Sequence, residues 1–158
     1  MSWLKRNTEF AFLIENNKEL ASRLDGKKID QLGLTAAQVD KETHQTTMVF
    51  NYMIGNLDWQ LHRQRNVKLI KSPTTENIKV VPYDFDMTAL VRPSYARLNA
   101  DFKQENFEDR FCIGKFSNQE ELAATLEKFL VAKENVLNAY TDCPYLNKSS
   151  KRKMTKYL

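Results

Sequence analysis

Residues 50–86 read FNYMIGNLDWQLHRQRNVKLIKSPTTENIKVVPYDFD, and the residue pattern changes twice within them. The stretch opens on the end of a helical pattern. Thr35 stands three residues before Gln38, the spacing of a capping box, and Val39, Thr43, Thr46, Phe50 and Met53 follow at helical intervals. Gly55 is a natural stop, because the residue after a helix is often left-handed and glycine adopts that conformation without steric cost. The spacing predicts one helix over roughly 36–54 that packs a face into the core and delivers the chain to Asn56. After a polar loop come Val67-Lys68-Leu69-Ile70 and Ile78-Lys79-Val80-Val81, two short β-branched-rich runs around the polar, proline-containing turn Ser72 to Asn77. These predict a β-hairpin, which Pro82 ends because proline cannot donate to a ladder.

On the N-terminal side lie two apolar clusters, Phe10 to Ile14 and Leu20 to Leu24. Asn16 or Asn17 is placed to cap a short helix over KELASRL, and Gly26 and Gly33 bracket a turn-rich connection. On the C-terminal side Ser117 and Glu120 have capping-box spacing. Leu122, Leu126, Phe129, Leu130, Leu137 and Tyr140 form a helical stripe that is expected to be core, and Pro144 follows its end. A last short helix is expected over 149–158. The fold class is therefore α+β: a single helix-rich domain over 1–158 with a small β-hairpin, and a basic C-terminal helix or tail over 145–158.

Composition excludes several classes. At 158 residues, 42% hydrophobic and 28% charged, the chain is an ordinary soluble globular domain by size and content. The net charge is +4, but Lys148, Lys151, Arg152, Lys153 and Lys156 supply five positive charges with no acid among them, leaving the rest at −1. The basicity belongs to the C-terminal segment, as a solvated helix face or frayed end, and argues against nucleic acid as a partner. Cys112, Cys143, His44 and His62 are not at the spacing of a zinc site. Cys112 is expected as a buried, inert thiol, His44 as a surface or core-edge residue, and Trp59 as a packing anchor. No apolar run approaches the roughly 20 residues of a membrane helix. MSWLKRNTEFAFLIENN is broken by charges and does not have the form of a signal peptide, so the default compartment is the cytoplasm.

Three polar groups gather around the predicted hairpin. Asp58 lies in the loop after the helix, Asn66 at the threshold of the first run, and Asp84 and Asp86 after the second. A hairpin places the start of its first strand beside the end of its second, so Asn66 and Asp84 are expected to be neighbours, with Asp58 folded over the same end. An amide beside a carboxylate is a suitable pair of oxygen ligands for Mg²⁺, which takes one or two carboxylates and completes its shell with water and phosphate.

This order of a helix, a loop Asp, an Asn before a strand, a hairpin and an Asp-Phe turn resembles the C-lobe of protein-kinase-like proteins. The wording IGNLDW, RNVKLI and VPYDFD is similar to the atypical branch that includes the HipA-type and spore-coat CotH-type kinases. It is closer still to uncharacterised bacterial proteins carrying IGNxDW and PYDFD. The resemblance continues more weakly through EDRFCIGKFS and the following helix. It implies that Asp58 orients or deprotonates an acceptor hydroxyl, that Asn66 binds magnesium, and that Asp84, with Asp86 as a second candidate, is the metal-binding Asp. Asn56 is implied to hold the loop. It also implies Mg²⁺ and ATP as cofactors and phosphoryl transfer as the chemistry. Seven residues separate Asp58 from Asn66 where the family has four; among them His62, Arg63 and Arg65 either contact phosphates or project into solvent. The N-lobe of the family is absent: positions 1–35 are read as helix and loop, no glycine-rich phosphate loop is present, and no strand ahead of the motif carries a plausible phosphate-binding Lys paired with a helix Glu. The expectation is a kinase-like C-lobe that is incomplete alone, either part of a truncated or split protein or completed by a partner protein that supplies the other half. The alternative is a non-catalytic, pseudokinase-type interaction domain.

Overall fold

A computed structural model describes residues 13–158. The expectations that fall on Phe10 to Phe12, and the reading of the first residues as no signal peptide, lie outside the described residues. The elements in chain order are α1 (Asn17–Arg23), β1 (Lys27–Ile29), a 3₁₀ turn (Ala36–Gln38), α2 (Lys41–Ile54), β2 (Val67–Lys71), β3 (Ile78–Pro82), a second 3₁₀ turn (Ala100–Phe102), α3 (Gln119–Thr141) and α4 (Lys148–Tyr157). The architecture is α+β: four helices and a small antiparallel sheet among the described residues.

The hairpin is present and gains a strand. β2 pairs with β3 in the register Val67↔Pro82 to Lys71↔Ile78. On its other edge β2 pairs with β1, Lys27↔Lys71 to Ile29↔Leu69. β1 falls inside the connection between Gly26 and Gly33 that was expected to be turns alone. At three residues it carries no alternation long enough to read. Gly26 admits no side chain there, because a Cβ would lie 2.5 Å from Ile70 and 2.7 Å from the Lys71 carbonyl oxygen.

As the central strand, β2 is covered on both faces, which is why Val67, Leu69 and Ile70 are all buried instead of alternating with polar residues. On one face Leu69, Val67, Ile78 and Val80 meet Met48, Trp59 and Leu61 in the main cluster. On the other, Ile70 packs under Leu20 and Ala21 of α1. Each such side chain contributes about 1.5–3 kcal/mol on burial. Trp59, 1% exposed, is the anchor its place in the loop predicts.

α2 is fixed to the sheet at its start. Asp40 is the N-cap, its carboxylate accepting from the Thr43 N–H at 2.8 Å and from the Asn77 amide at 3.1 Å. The Asp40 N–H donates to the Ile78 carbonyl, and the Val80 N–H donates to the Thr43 hydroxyl. These bonds occupy the outer edge of β3, which would otherwise present unpaired backbone groups. They also correct the expectation of one helix over 36–54. The Thr35–Gln38 box governs only the 3₁₀ turn, where the Gln38 side chain accepts from the Thr35 N–H at 3.0 Å. Val39 and Asp40 break to extended and capping geometry before α2 begins. The buried face of α2 runs through His44, Thr47, Met48, Asn51 and Ile54, one position round from the Thr43–Phe50 stripe. His44 is accordingly buried, edge-on to Trp59 at 6.4 Å between ring centres, and not a surface residue. Burial lowers its pKa below the ordinary 6.5.

Three further expectations are corrected. Asn118, one residue after Ser117, caps α3 by accepting from the Glu121 N–H at 2.9 Å. The apolar stripe of α3 is not core: Leu122 is 36% exposed, Leu126 42% and Leu130 65%, with Val131 beside it at 77%, and Thr125 is the buried residue of the helix. Cys112 is exposed. The basic segment forms α4, which packs on α3 and brings the Tyr157 hydroxyl against Gly55 at the end of α2; the Arg110 guanidinium lies over the Tyr157 ring at 4.1 Å and donates to its carbonyl oxygen. Among the described residues no helix is long and apolar enough to cross a membrane.

Candidate functional site

The end of α2 sets the position of the loop. Gly55 is the left-handed C-cap (φ 65°), and its N–H donates back to Tyr52. The next residue, Asn56, is 1% exposed and ties the loop to the helix. Its side-chain nitrogen donates to Asn51 Oδ1 at 2.8 Å, while Asn51, itself fully buried, donates to the Thr47 carbonyl at 2.8 Å. Asn56 Oδ1 then accepts from the Asp58 N–H at 2.9 Å. Two buried amides thus carry the position of α2 to the backbone of Asp58, with their polar groups satisfied as burial requires. Asn56 therefore holds the loop and does not face solvent.

The seven residues between Asp58 and Asn66 fold back on themselves. Gln60 and Arg65 exchange both backbone hydrogen bonds at 3.0 Å, closing a turn at Gln64, whose φ is 48°. Because the extra length is taken up in this closed turn, Asn66 still meets Asp58. Its amide donates to the Asp58 carbonyl oxygen at 2.6 Å and to the carboxylate Oδ2 at 3.0 Å. Arg65 reaches the other carboxylate oxygen, Oδ1, at 3.2 Å. Arg65 is thereby placed on Asp58, whereas His62 and Arg63 are exposed on the outside of the turn. The backbone carbonyl of His62 accepts from the Gly33 N–H.

At the same open end of the hairpin the Tyr83 N–H donates to the Asn66 carbonyl at 3.0 Å, extending the pairing one step past Pro82. Asp84 follows with φ 58°, and Asn66 has φ 51°. Both are left-handed, a conformation uncommon outside glycine that Asn and Asp tolerate best. Desolvation and the neighbouring Asp86 carboxylate, followed by Asp58 further off, raise the Asp84 pKa above the ordinary 3.8. Asp58, Asp84 and Asp86 therefore share one electrostatic environment. Phe85 between the two acids turns inward against Phe50 of α2 at 5.3 Å, edge-on. Asp86 accepts from the Tyr95 hydroxyl at 2.6 Å, and this bond raises the Tyr95 pKa.

Beside Asp58 opens a cleft of about 360 Å³, lined on one side by Leu57, Asp58 and Arg65 and on the other by Arg97, Asn99 and Asp101. The Asn99 amide donates to the Leu57 carbonyl at 3.1 Å and holds the two walls together. Among the described residues there is no group of three or more His, Cys, Asp or Glu that could hold a metal without other donors.

Asn51, Asn99 and Tyr95 take part in this arrangement without having been singled out from the sequence. For Asn51 a signal existed: an amide in the last turn of a helix, on its buried side and just ahead of Gly55, needs a partner. Tyr95 and Asn99 lie in a region without periodicity, and only the fold brings them to Asp86 and Leu57. No strand was expected ahead of the motif, yet β1 lies there and carries Lys28, whose partner is Asp30 at 2.5 Å and not a helix Glu. No protein-family model, curated protein or solved structure matches the chain.

Proposed function

We propose that the chain is a kinase-like C-lobe of the atypical branch that contributes Mg²⁺ and nucleotide binding, with phosphoryl transfer as its chemistry. The supporting observation is the position of the Asn66 amide on the Asp58 carboxylate, with Asp84 brought alongside by the Tyr83–Asn66 backbone bond. Phosphoryl transfer asks a protein for two things, positioning of a hydroxyl and neutralisation of phosphate charge. In this reading Asp58 receives or orients the acceptor hydroxyl from the adjoining cleft, and Asn66 and Asp84 hold the metal, with Asp86 as a second carboxylate. The like-charge environment that raises the Asp84 pKa is one that a divalent cation relieves. Arg65 neutralises Asp58 when no nucleotide is bound and is placed to exchange that carboxylate for a phosphate. The half of the nucleotide site that the family builds from its N-lobe is assigned to sequence outside residues 1–158 or to a partner protein.

Calorimetric titration of Mg-ATP tests this. The expected result is binding that chelation and Asp84→Ala both abolish, while Asp58→Ala retains binding and loses transfer. Equal ATP affinity with chelator and in the Asp84 variant overturns the proposal.

A second reading, a non-catalytic interaction domain on the same fold, is favoured by one observation: Leu126, Leu130 and Val131 are exposed along α3. Its mark is a thermal melt indifferent to Mg-ATP, together with binding to another protein that charged substitutions at Leu130 abolish.

A further inference from the structure

A cavity of about 570 Å³ shares no lining residue with the cleft beside Asp58. It lies between the strand that carries Lys28 and the paired ends of β2 and β3. Lys28, Gln64, Lys68 and Tyr83 line it, and Leu32 and Val67 supply apolar wall. The charge balance is unequal. Lys28 is paired with Asp30 at 2.5 Å, but among the described residues Lys68 faces no carboxylate at bonding distance; its Nζ lies 5.1 Å from the centre of the Tyr83 ring. Glu15, whose carboxylate feels the Lys68 charge, is bonded through both carboxylate oxygens to Arg23. Two buried side-chain atoms of the neighbouring turn, the Gln64 nitrogen and the Gln60 oxygen, have no hydrogen-bond partner among the described residues, and Gln64 is held at a left-handed φ. An unpaired buried amide donor is costly, and such a group marks a place where a partner is expected.

We propose that this cavity binds a small aromatic anion: a ring lying along Tyr83 and the apolar wall, bearing a phosphate or carboxylate that the Lys28 and Lys68 ammonium groups and the Gln64 amide receive. The site needs no metal, since two ammonium groups against one carboxylate leave a net positive charge. It adjoins the magnesium site proposed for Asn66 and Asp84, through the Tyr83–Asn66 backbone bond, but is lined by neither residue. Ammonium over an aromatic face and an amide donor to an anion are each modest; together, around a recess with apolar wall, they select for a molecule that has both a ring and a charge.

The test uses the whole chain in the presence of a chelator, with phenyl phosphate and benzoate as probes followed by ligand-detected NMR and calorimetry. At least one of the two is expected to bind, and the tighter of the pair identifies the anion as phosphate or carboxylate. Inorganic phosphate, which lacks the ring, and benzyl alcohol, which lacks the charge, are expected to bind about tenfold or more weakly. Lys28→Ala with Lys68→Ala lowers the affinity by about tenfold or more; Lys68→Arg, which keeps the charge, retains it; Asp84→Ala leaves it unchanged. Failure of both aromatic anions to bind, or binding undiminished in the double lysine variant, overturns the assignment. Loss of binding in the Asp84 variant also overturns it, because the anion would then belong to the metal site.

Discussion

The side-chain amide of Asn66 bridges the backbone carbonyl and the carboxylate of Asp58, at 2.6 and 3.0 Å, across eight positions of sequence. One nitrogen therefore fixes both the path of the loop and the direction of its acid. Deleting it frees the carboxylate and leaves the Asp58 carbonyl without its donor.

Asn66→Ala is expected to destabilise the fold by about 1–3 kcal/mol, from two lost bonds, one of them to a charged group. Alanine also tolerates the φ of 51° less well than asparagine. Asn66→Asp is worse near neutral pH, because it sets a second carboxylate against Asp58 about where the amide stood. Urea denaturation of the three proteins checks the order; an Asp variant as stable as wild type at pH 7 contradicts it.

The Asn51–Asn56 pair is fully buried and satisfied within the chain. Asn56→Leu keeps the volume but removes the partners of both Asn51 Oδ1 and the Asp58 N–H. A loss of about 2–4 kcal/mol is expected from the unpaired buried groups. The same variant is expected to raise amide hydrogen exchange around Asp58 more than in β2, a pattern that general destabilisation does not produce.

Asp84 carries a stability cost that depends on pH. Its pKa is above 3.8 in the folded chain, so between the unfolded and folded values the native state holds more of the proton. Stability contributed by this group therefore falls as pH rises through that window, and the penalty is absent below it. Asp84→Asn, which keeps a residue suited to φ 58°, is expected to melt higher than wild type at pH 7, by a small margin given the exposure of the group. The gain should vanish as pH is lowered beneath the carboxylate range. Parallel melting curves for the two proteins across pH 3–7 count against the shared environment of Asp58, Asp84 and Asp86.

Leu130 and Met48 separate exposed from buried apolar positions. Met48, 1% exposed, touches the sheet core, and Met48→Ala is expected to cost about 2–5 kcal/mol. Leu130→Ser, at 65% exposure, is expected to fall within about 0.5 kcal/mol of wild type.

The hairpin, the bodies of α2 and α3, the Asn16 cap of α1 and the Gly55 stop were legible because β-branched runs, helical spacing, Asn and Gly are local signals. The N-caps of α2 and α3, by contrast, fell on Asp40 and Asn118 and not on Thr35 and Ser117. What was hidden is non-local. β1 is too short to show a period, and its place on the edge of β2 depends on Gly26 lying against Ile70. The α3 stripe has the spacing of a core helix, but periodicity reports only that one face is apolar, not that anything covers it. The meeting of Asp58 and Asn66 was legible from the hairpin, yet its cause, the closed turn at Gln60 and Arg65, was not: nothing in LHRQ announces a turn except that the ends must meet.

The central claim is that Asp58, Asn66 and Asp84 serve one metal–nucleotide site. Adding Mn²⁺ at a small fraction of the protein concentration, with ATP, to isotopically labelled protein tests it most directly, through paramagnetic broadening of amide signals. The account predicts that the signals of residues 58, 66 and 84–86 broaden first and together, that the nucleotide phosphorus signals broaden with them, and that Asp84→Ala removes the effect. Broadening centred elsewhere, or broadening at these residues that is unchanged in the Asp84 variant, contradicts it.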